Sequence, residues 1–279
     1  MHPVLDFLQL LGFLVYSIIR SIVLSFVPVS WRSKNVKGQV CWISGSGSGI
    51  GKLMAIKFSA LGCRMVLVDI NKEWLDKAVK ECKDAGAESV NSYVCDLSNR
   101  EQVYAMTAKV KKEVGPVDIL INNAGIVSGK PILELDDDRN IDRTFKINAI
   151  SHFWTIKSFL PDMLSRQRGH IVTIASMAGI CAPMGKMTDY ASSKYAAVGI
   201  AETLEFELRC TYKTDAIKST VVCPYFINTG MFHGISLKYE WLLPYMTPDY
   251  VAQKTVDAVL INKPVVMLPI WLRLVAVLK

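Results

Sequence analysis

The sequence has no C-x-x-C pair, no histidine cluster, no internal repeat and no low-complexity tract. Its 7 cysteines are dispersed through apolar runs and only 4 histidines are present, so neither a disulfide framework nor a metal site is indicated. That usage fits reduced thiols facing a cytosolic-type compartment. No block of lysine and arginine with interleaved aromatics occurs, which argues against nucleic acid as a partner despite a net charge of +7. An anionic membrane or an anionic cofactor remains as the reason for that charge. The start of the chain lacks both a basic n-region and a small-x-small cleavage site, so a removable signal peptide is not indicated.

What is present begins with a long apolar run. Residues 4–31 are interrupted only by Asp6, Gln9, Arg20 and serines. At about 1.5 Å per residue they could reach across a hydrocarbon core of ~30 Å. Arg20 is costly at a bilayer centre, which favours a tilted or shallow membrane anchor over 1–31 with Arg20 at the headgroups. A basic linker, 32–37, carries Arg32, Lys34 and Lys37 and sets the rest of the chain on the cytosolic side. The alternative is a buried helix of a soluble domain.

The remaining chain, 279 residues in all and 51% hydrophobic, suffices for one large domain. From residue 38 the pattern alternates. Strands are predicted at 39–44, 64–70, 90–96, 117–125, 170–176 and 218–224, and helices at 50–61, 72–85, 99–114, 140–165 and 190–210. Strands so apolar need cover on both faces. The expected fold is therefore α/β: a single Rossmann-type doubly wound parallel sheet over 38–268, with helices on both faces. Residues 225–247 are rich in glycine, proline and aromatics without a period and read as a substrate lid. The stretch 264–279 reads as a last strand followed by an apolar tail, 269–279, that makes a second membrane contact.

Two motifs carry chemistry. "CWISGSGSGIGK" (41–52) places Gly45, Gly49 and Gly51 in a strand-to-helix turn. Side chains there would keep backbone N–H groups and a helix N-terminus away from a pyrophosphate. Asp69 ends the next strand, where a carboxylate can accept from ribose hydroxyls and repel a 2′-phosphate. NAD is thus favoured; Lys72, three residues on, keeps NADP open, and Asp69 could instead be a solvated turn residue. In "YASSK", Tyr190 and Lys194 stand four apart on one helical face. An ammonium near a phenol favours the phenolate, making tyrosine a usable general base. A solvated i,i+4 pair is the bland alternative. Ser176 ends a strand, where its hydroxyl can meet a substrate oxygen.

Together, Gly45-x-x-x-Gly49-Ile50-Gly51, "NNAG" (122–125), Asn148, Ser176 and Tyr190-x-x-x-Lys194 resemble the short-chain dehydrogenase/reductase family over about residues 38–265. Stretches such as "KKEVGPVDILINNAGIVSGK" and "VVCPYFINTGMF" are similar to its membrane-bound retinol dehydrogenase branch, with the 17-beta-hydroxysteroid dehydrogenases of lipid droplets as neighbours. The resemblance implies roles. Tyr190 would be the acid/base, and Lys194 would lower its pKa and hold the nicotinamide ribose. Ser176 would orient the substrate oxygen, and Asn148 would hold a water linking Lys194 to solvent. Ser46, Ile50, Leu97, Asn123, Ala124 and Gly125 would line the cofactor cleft with the glycines. Asp96 would accept from the adenine amine, unless it is a helix cap, and Thr229 would reach the carboxamide.

Two positions depart from the family pattern. Ser176 precedes Tyr190 by 14 residues where 13 is usual, and Pro224 is followed by Tyr225 rather than glycine. The implied activity is NAD-dependent oxidation of a retinoid or steroid-like alcohol by a membrane-associated homodimer at the endoplasmic reticulum or a lipid droplet, facing the cytosol. A non-catalytic scaffold on the same fold is the alternative, and the intact Ser176–Tyr190–Lys194 set argues against it.

Overall fold

The computed structural model describes residues 27–135, 137–182, 185–230 and 244–272, with scattered positions between 7 and 26. The chain divides into Met1–Asn35 and Val36–Lys279. In the first unit a short helix spans Val29–Arg32, and Phe26 and Trp31 are exposed. No helix among the described residues is long and apolar enough to cross a membrane. Arg20, on which the anchor's depth was argued, lies outside them, as do 231–243 of the expected lid and the tail from 273.

The second unit holds seven parallel strands: β1 (Val40–Ser44), β2 (Arg64–Asp69), β3 (Ser89–Val94), β4 (Ile119–Asn122), β5 (Gly169–Ile174), β6 (Ile217–Pro224) and β7 (Val265–Leu268). Their order is β3-β2-β1-β4-β5-β6-β7. Among the described residues seven helices connect or flank them: α1 (Gly49–Ala60), α2 (Lys72–Asp84), α3 (Arg100–Glu113), α4 (Asp138–Phe145), α5 (Ser151–Arg166), α6 (Thr188–Phe206) and α7 (Pro248–Leu260). The unit begins inside the basic stretch expected to be linker: Val36 is 2% exposed and belongs to the core.

The period-2 alternation of each strand builds two cores. Cys41 and Ile43 of β1 face a layer with Met54 and Phe58 of α1, Leu75 of α2 and Val251 of α7. Val40 and Trp42 face the other layer, with Val103 of α3 and Phe159 and Met163 of α5. Burial on both faces explains why the strands are nearly continuous apolar runs. Trp42 and Phe159 meet at 5.9 Å between ring centroids, tying β1 to α5.

The strand order reverses between β1 and β4, and side chains at the carboxyl ends there open into a crevice, the usual ligand position in such sheets. The long helix expected at 140–165 is two helices, α4 and α5, joined by a π-turn over Lys146–Ile150. That turn carries Asn148 inward.

Candidate active site

A cleft of about 1240 Å³ runs over the strand ends. At one end is the glycine turn. Gly45 and Gly49 have φ of 62° and 54°, a region that favours glycine. A Cβ on Gly51 would overlap the Gly45 carbonyl oxygen, so the turn closes on itself only without a side chain. Gly47 meets the same limit from outside: its Cβ would lie 2.8 Å from Trp74 Cβ and 3.0 Å from Asp69 Oδ2. Ser48 precedes α1 but makes no side-chain capping bond. The first N–H groups of a helix have no intrahelical partner, so this end of α1 is free to meet an anion. The cradle fits a pyrophosphate.

Asp69 closes the turn. Its Oδ2 accepts from Gly47 N at 2.9 Å and its Oδ1 from Asn71 N at 3.0 Å, and the carboxylate still lines the cleft. Lys72, which kept NADP open, is drawn away: its Nζ bonds Asp76 at 2.8 Å along the exposed face of α2. Asp96 also lines the cleft. It does not cap α3, a task done by Asn99 through Gln102 N; its Oδ1 instead accepts from Ser98 N and Oγ. Ile50, Leu97, Asn123, Ala124, Gly125 and Thr229 line the cleft.

Ser46 does not. Its hydroxyl donates to Val68 O and accepts from Val68 N at 2.8 Å, and the residue is fully buried between β1 and β2. Within the alternating glycine turn the cleft-facing serine is Ser48, one pleat further on.

Behind the turn, Ser44 Oγ accepts from both Asn123 N and Ala124 N, while Asn123 Nδ2 donates to the carbonyls of Ser44 and Gly45. The "NNAG" loop and the glycine turn thus brace each other.

The reacting groups sit at the end of β5 and the start of α6. The Ser176 hydroxyl hydrogen-bonds the Tyr190 phenol and accepts from Ala178 N. The extra residue between them is therefore absorbed without separating the pair. Gly179, at the base of that loop, packs where a Cβ would overlap the Lys194 carbonyl oxygen. Lys194 Nζ donates to Ile174 O at 2.9 Å and stands 5.7 Å from the Tyr190 ring centroid.

The expected lowering of the phenol pKa by Lys194 is not what dominates here. Burial pushes Tyr190 up to about 12, and what opposes it is the Ser176 hydrogen bond. Burial also pulls Lys194 down to about 8. His152, buried on α5, is held neutral near about 3, first by burial and then by the Lys194 charge, so it adds no cation there.

Asn148 is held by its side-chain amide. Its Nδ2 donates to Ile126 O and to Ser193 Oγ, both at 2.9 Å, and its Oδ1 accepts from Ile126 N. Both amide hydrogens are committed, and the side chain clamps the loop after "NNAG" onto α6. A Cβ on Gly125 would lie 3.4 Å from both Asn148 Oδ1 and Lys194 Nζ, so the clamp stays close to the lysine.

Several lining residues escaped the sequence reading: Ser48, Trp74, Arg143, Cys181, Trp271 and Leu272. Trp74, near the start of a helix directly after Asp69, was the one with a local signal. Trp271 and Leu272 come from the tail expected to touch a membrane.

A doubly wound sheet with a glycine turn at β1 and a Ser–Tyr–Lys set at β5 and α6 defines a nicotinamide-dependent oxidoreductase. A family model described as short chain dehydrogenase matches residues 39–240, and the chain belongs to that family. It is 44% identical over 96% of its length to short-chain dehydrogenase/reductase family 16C member 6 of Bos taurus, covering 84% of that protein. It is 42% identical over 100% of its length to epidermal retinol dehydrogenase 2 of Mus musculus, covering 89% of it. To 17-beta-hydroxysteroid dehydrogenase 13 of Rattus norvegicus it is 40% identical, with 98% and 88% covered. A short-chain dehydrogenase/reductase from Burkholderia phymatum in complex with NAD superposes with a TM-score of 0.77 at 27% identity, covering 88% of this chain and 94% of that one. A metagenomic short-chain oxidoreductase in complex with NADP gives 0.68 at 26% identity, covering 84% and 97%.

Proposed function

We propose that the chain is an NAD-dependent dehydrogenase of lipophilic alcohols, with retinol as the first candidate substrate. The observation that carries this is the Ser176–Tyr190–Lys194 set opening into a cleft whose far side is apolar, lined by Val127, Met187, Tyr225 and Phe226. A bound nicotinamide dinucleotide supplies the hydride acceptor. Tyr190 takes the hydroxyl proton in its phenolate form, which burial disfavours and which the positive ring of a bound nicotinamide would favour. Ser176 holds the alcohol oxygen, and Lys194 is steadied by Ile174 O. A steroid alcohol is the second reading, favoured by the rat relative named for that activity. Turnover of retinol and estradiol, measured with the protein in lipid vesicles, decides between them. Retinol is expected to give the higher kcat/KM; a preference for estradiol would reverse the order.

The preference for NAD rests on Asp69 and on Lys72 being tied to Asp76. At matched concentrations NAD is expected to give the faster initial rate, and Asp69→Ser to narrow the ratio about tenfold by removing the charge that repels a 2′-phosphate. Wild-type rates favouring NADP tenfold would refute the argument.

Membrane association, at the endoplasmic reticulum or a lipid droplet with the catalytic unit on the cytosolic side, is part of this proposal, as is a homodimer. The apolar run at 4–31 and its basic flank support the first. Deleting residues 1–30 is expected to move the protein from the membrane pellet to the supernatant. Retention in a carbonate-washed pellet would assign membrane binding to another segment.

A further inference from the structure

Where β2 ends, the cleft is walled by a residue to which the proposed chemistry gives no task. Trp74 stands in the first turn of α2 and lines the cleft with Asp69 and Ile70, 47% exposed. Its root is fixed from two sides. Asn71, the N-cap of α2, accepts from Trp74 N–H through Oδ1 at 3.0 Å. On the other side Trp74 Cβ lies so near Gly47 that a Cβ on that glycine would come within 2.8 Å of it. Asp69 Oδ2 approaches the same point, so carboxylate and indole lie side by side over the buried Gly47.

The polar chemistry around this indole is already spent. A phosphate is held by N–H donors and cations. Gly47 N–H and Asn71 N–H both donate to the Asp69 carboxylate, and Trp74 N–H is taken by Asn71. Lys72 is bonded to Asp76, and Glu73 adds an anion to the same turn of α2. Among the described lining residues from β1, β2, β3 and the turns after them, none is a lysine or arginine. A phosphate arriving here would break an existing bond or stay unpaired. A ribose with both hydroxyls free needs only the carboxylate as acceptor and an apolar surface to lie against.

We propose that Trp74 is a specificity-determining residue for the dinucleotide. Its indole stands against the adenosine ribose and fills the volume that a 2′-phosphate would need, so NADP is refused by shape as well as by the charge of Asp69. The proposal rests on the NAD reading and adds to it a second, uncharged determinant.

Binding without turnover tests it. ADP-ribose and its 2′-phosphate are titrated into the full-length chain in detergent micelles and followed by calorimetry. Wild type is expected to bind ADP-ribose about 30-fold more tightly than the 2′-phosphate. Trp74→Ala is expected to bind the 2′-phosphate about fivefold more tightly than wild type does, and ADP-ribose about twofold more weakly, narrowing the ratio about tenfold. Trp74→Phe, which keeps an aromatic wall of smaller reach, is expected to narrow it about threefold. A thermal melt on each variant identifies loss of folding, and the phenylalanine variant carries the test if the alanine one fails to fold. An unchanged ratio in a folded variant, or equal losses for the two ligands, would overturn the role of Trp74 and leave the NAD reading standing. Wild type that binds the two equally, or prefers the 2′-phosphate, would sink the NAD reading and this proposal with it. Wild type that binds neither would remove the dinucleotide cleft itself.

Discussion

Tyr190→Phe is expected to lower NADH formation by about 10³-fold, the scale of a lost general acid/base, while NAD binding stays within a few-fold of wild type. The phenol is 5% exposed and its hydroxyl is bonded by Ser176, so the substitution removes one oxygen and leaves the ring in its packing with Met187 and Phe226. The split between turnover and cofactor binding is the diagnostic part, because the glycine turn and Asp69 do not touch that hydroxyl. Equal rates in the two proteins would place the proton transfer elsewhere and remove the basis of the proposed function.

Lys194→Met is expected to abolish turnover and yet stabilise the fold. Lys194 is 3% exposed, and burial lowers its pKa from 10.5 to about 8. Below both values the folded and unfolded chains are equally protonated, and burying the ammonium costs about 3 kcal/mol. Leaving Ile174 O without its donor costs the variant about 1–2 kcal/mol in return. The net expectation, on the chain without added cofactor at pH 7, is about 1–2 kcal/mol of added stability, a Tm rise of roughly 2–8 °C. The sign with pH follows. Between pH 8 and 10.5 the unfolded state holds a proton that the folded state has released, so wild-type stability rises there and the variant's advantage shrinks. A variant less stable at pH 7 would show that the ammonium is better solvated than its burial indicates.

The parts of the site that were legible in the sequence are those whose cause is local. Gly45, Gly49 and Gly51 announce a turn that only glycine can make, and Asp69 is placed at the cleft by the end of an apolar strand. Tyr190 and Lys194 share a helical face by spacing alone. Ser46 and Ser48 could not be told apart, because in an alternating turn one residue's step decides which hydroxyl faces the sheet. Asn148's partners were hidden for a different reason. Its amide bonds Ile126 in the loop after β4 and Ser193 on α6, contacts invisible to any period. Nor does spacing report solvation. A lysine four residues from a tyrosine suggested a lowered phenol pKa, but the pair is buried and desolvation prevails. Trp271 and Leu272 reach the cleft from the edge strand, β7, whose position beside β6 depends on the whole sheet.

Gly179 has a consequence for how such a chain can diverge. Its contact with the Lys194 backbone nails the loop down immediately past Ser176, so residues inserted further along lengthen a tethered arc and do not lever the serine off the phenol. The spare residue before Tyr190 is then a free parameter of the mouth, open to drift while the chemistry beneath it stands still.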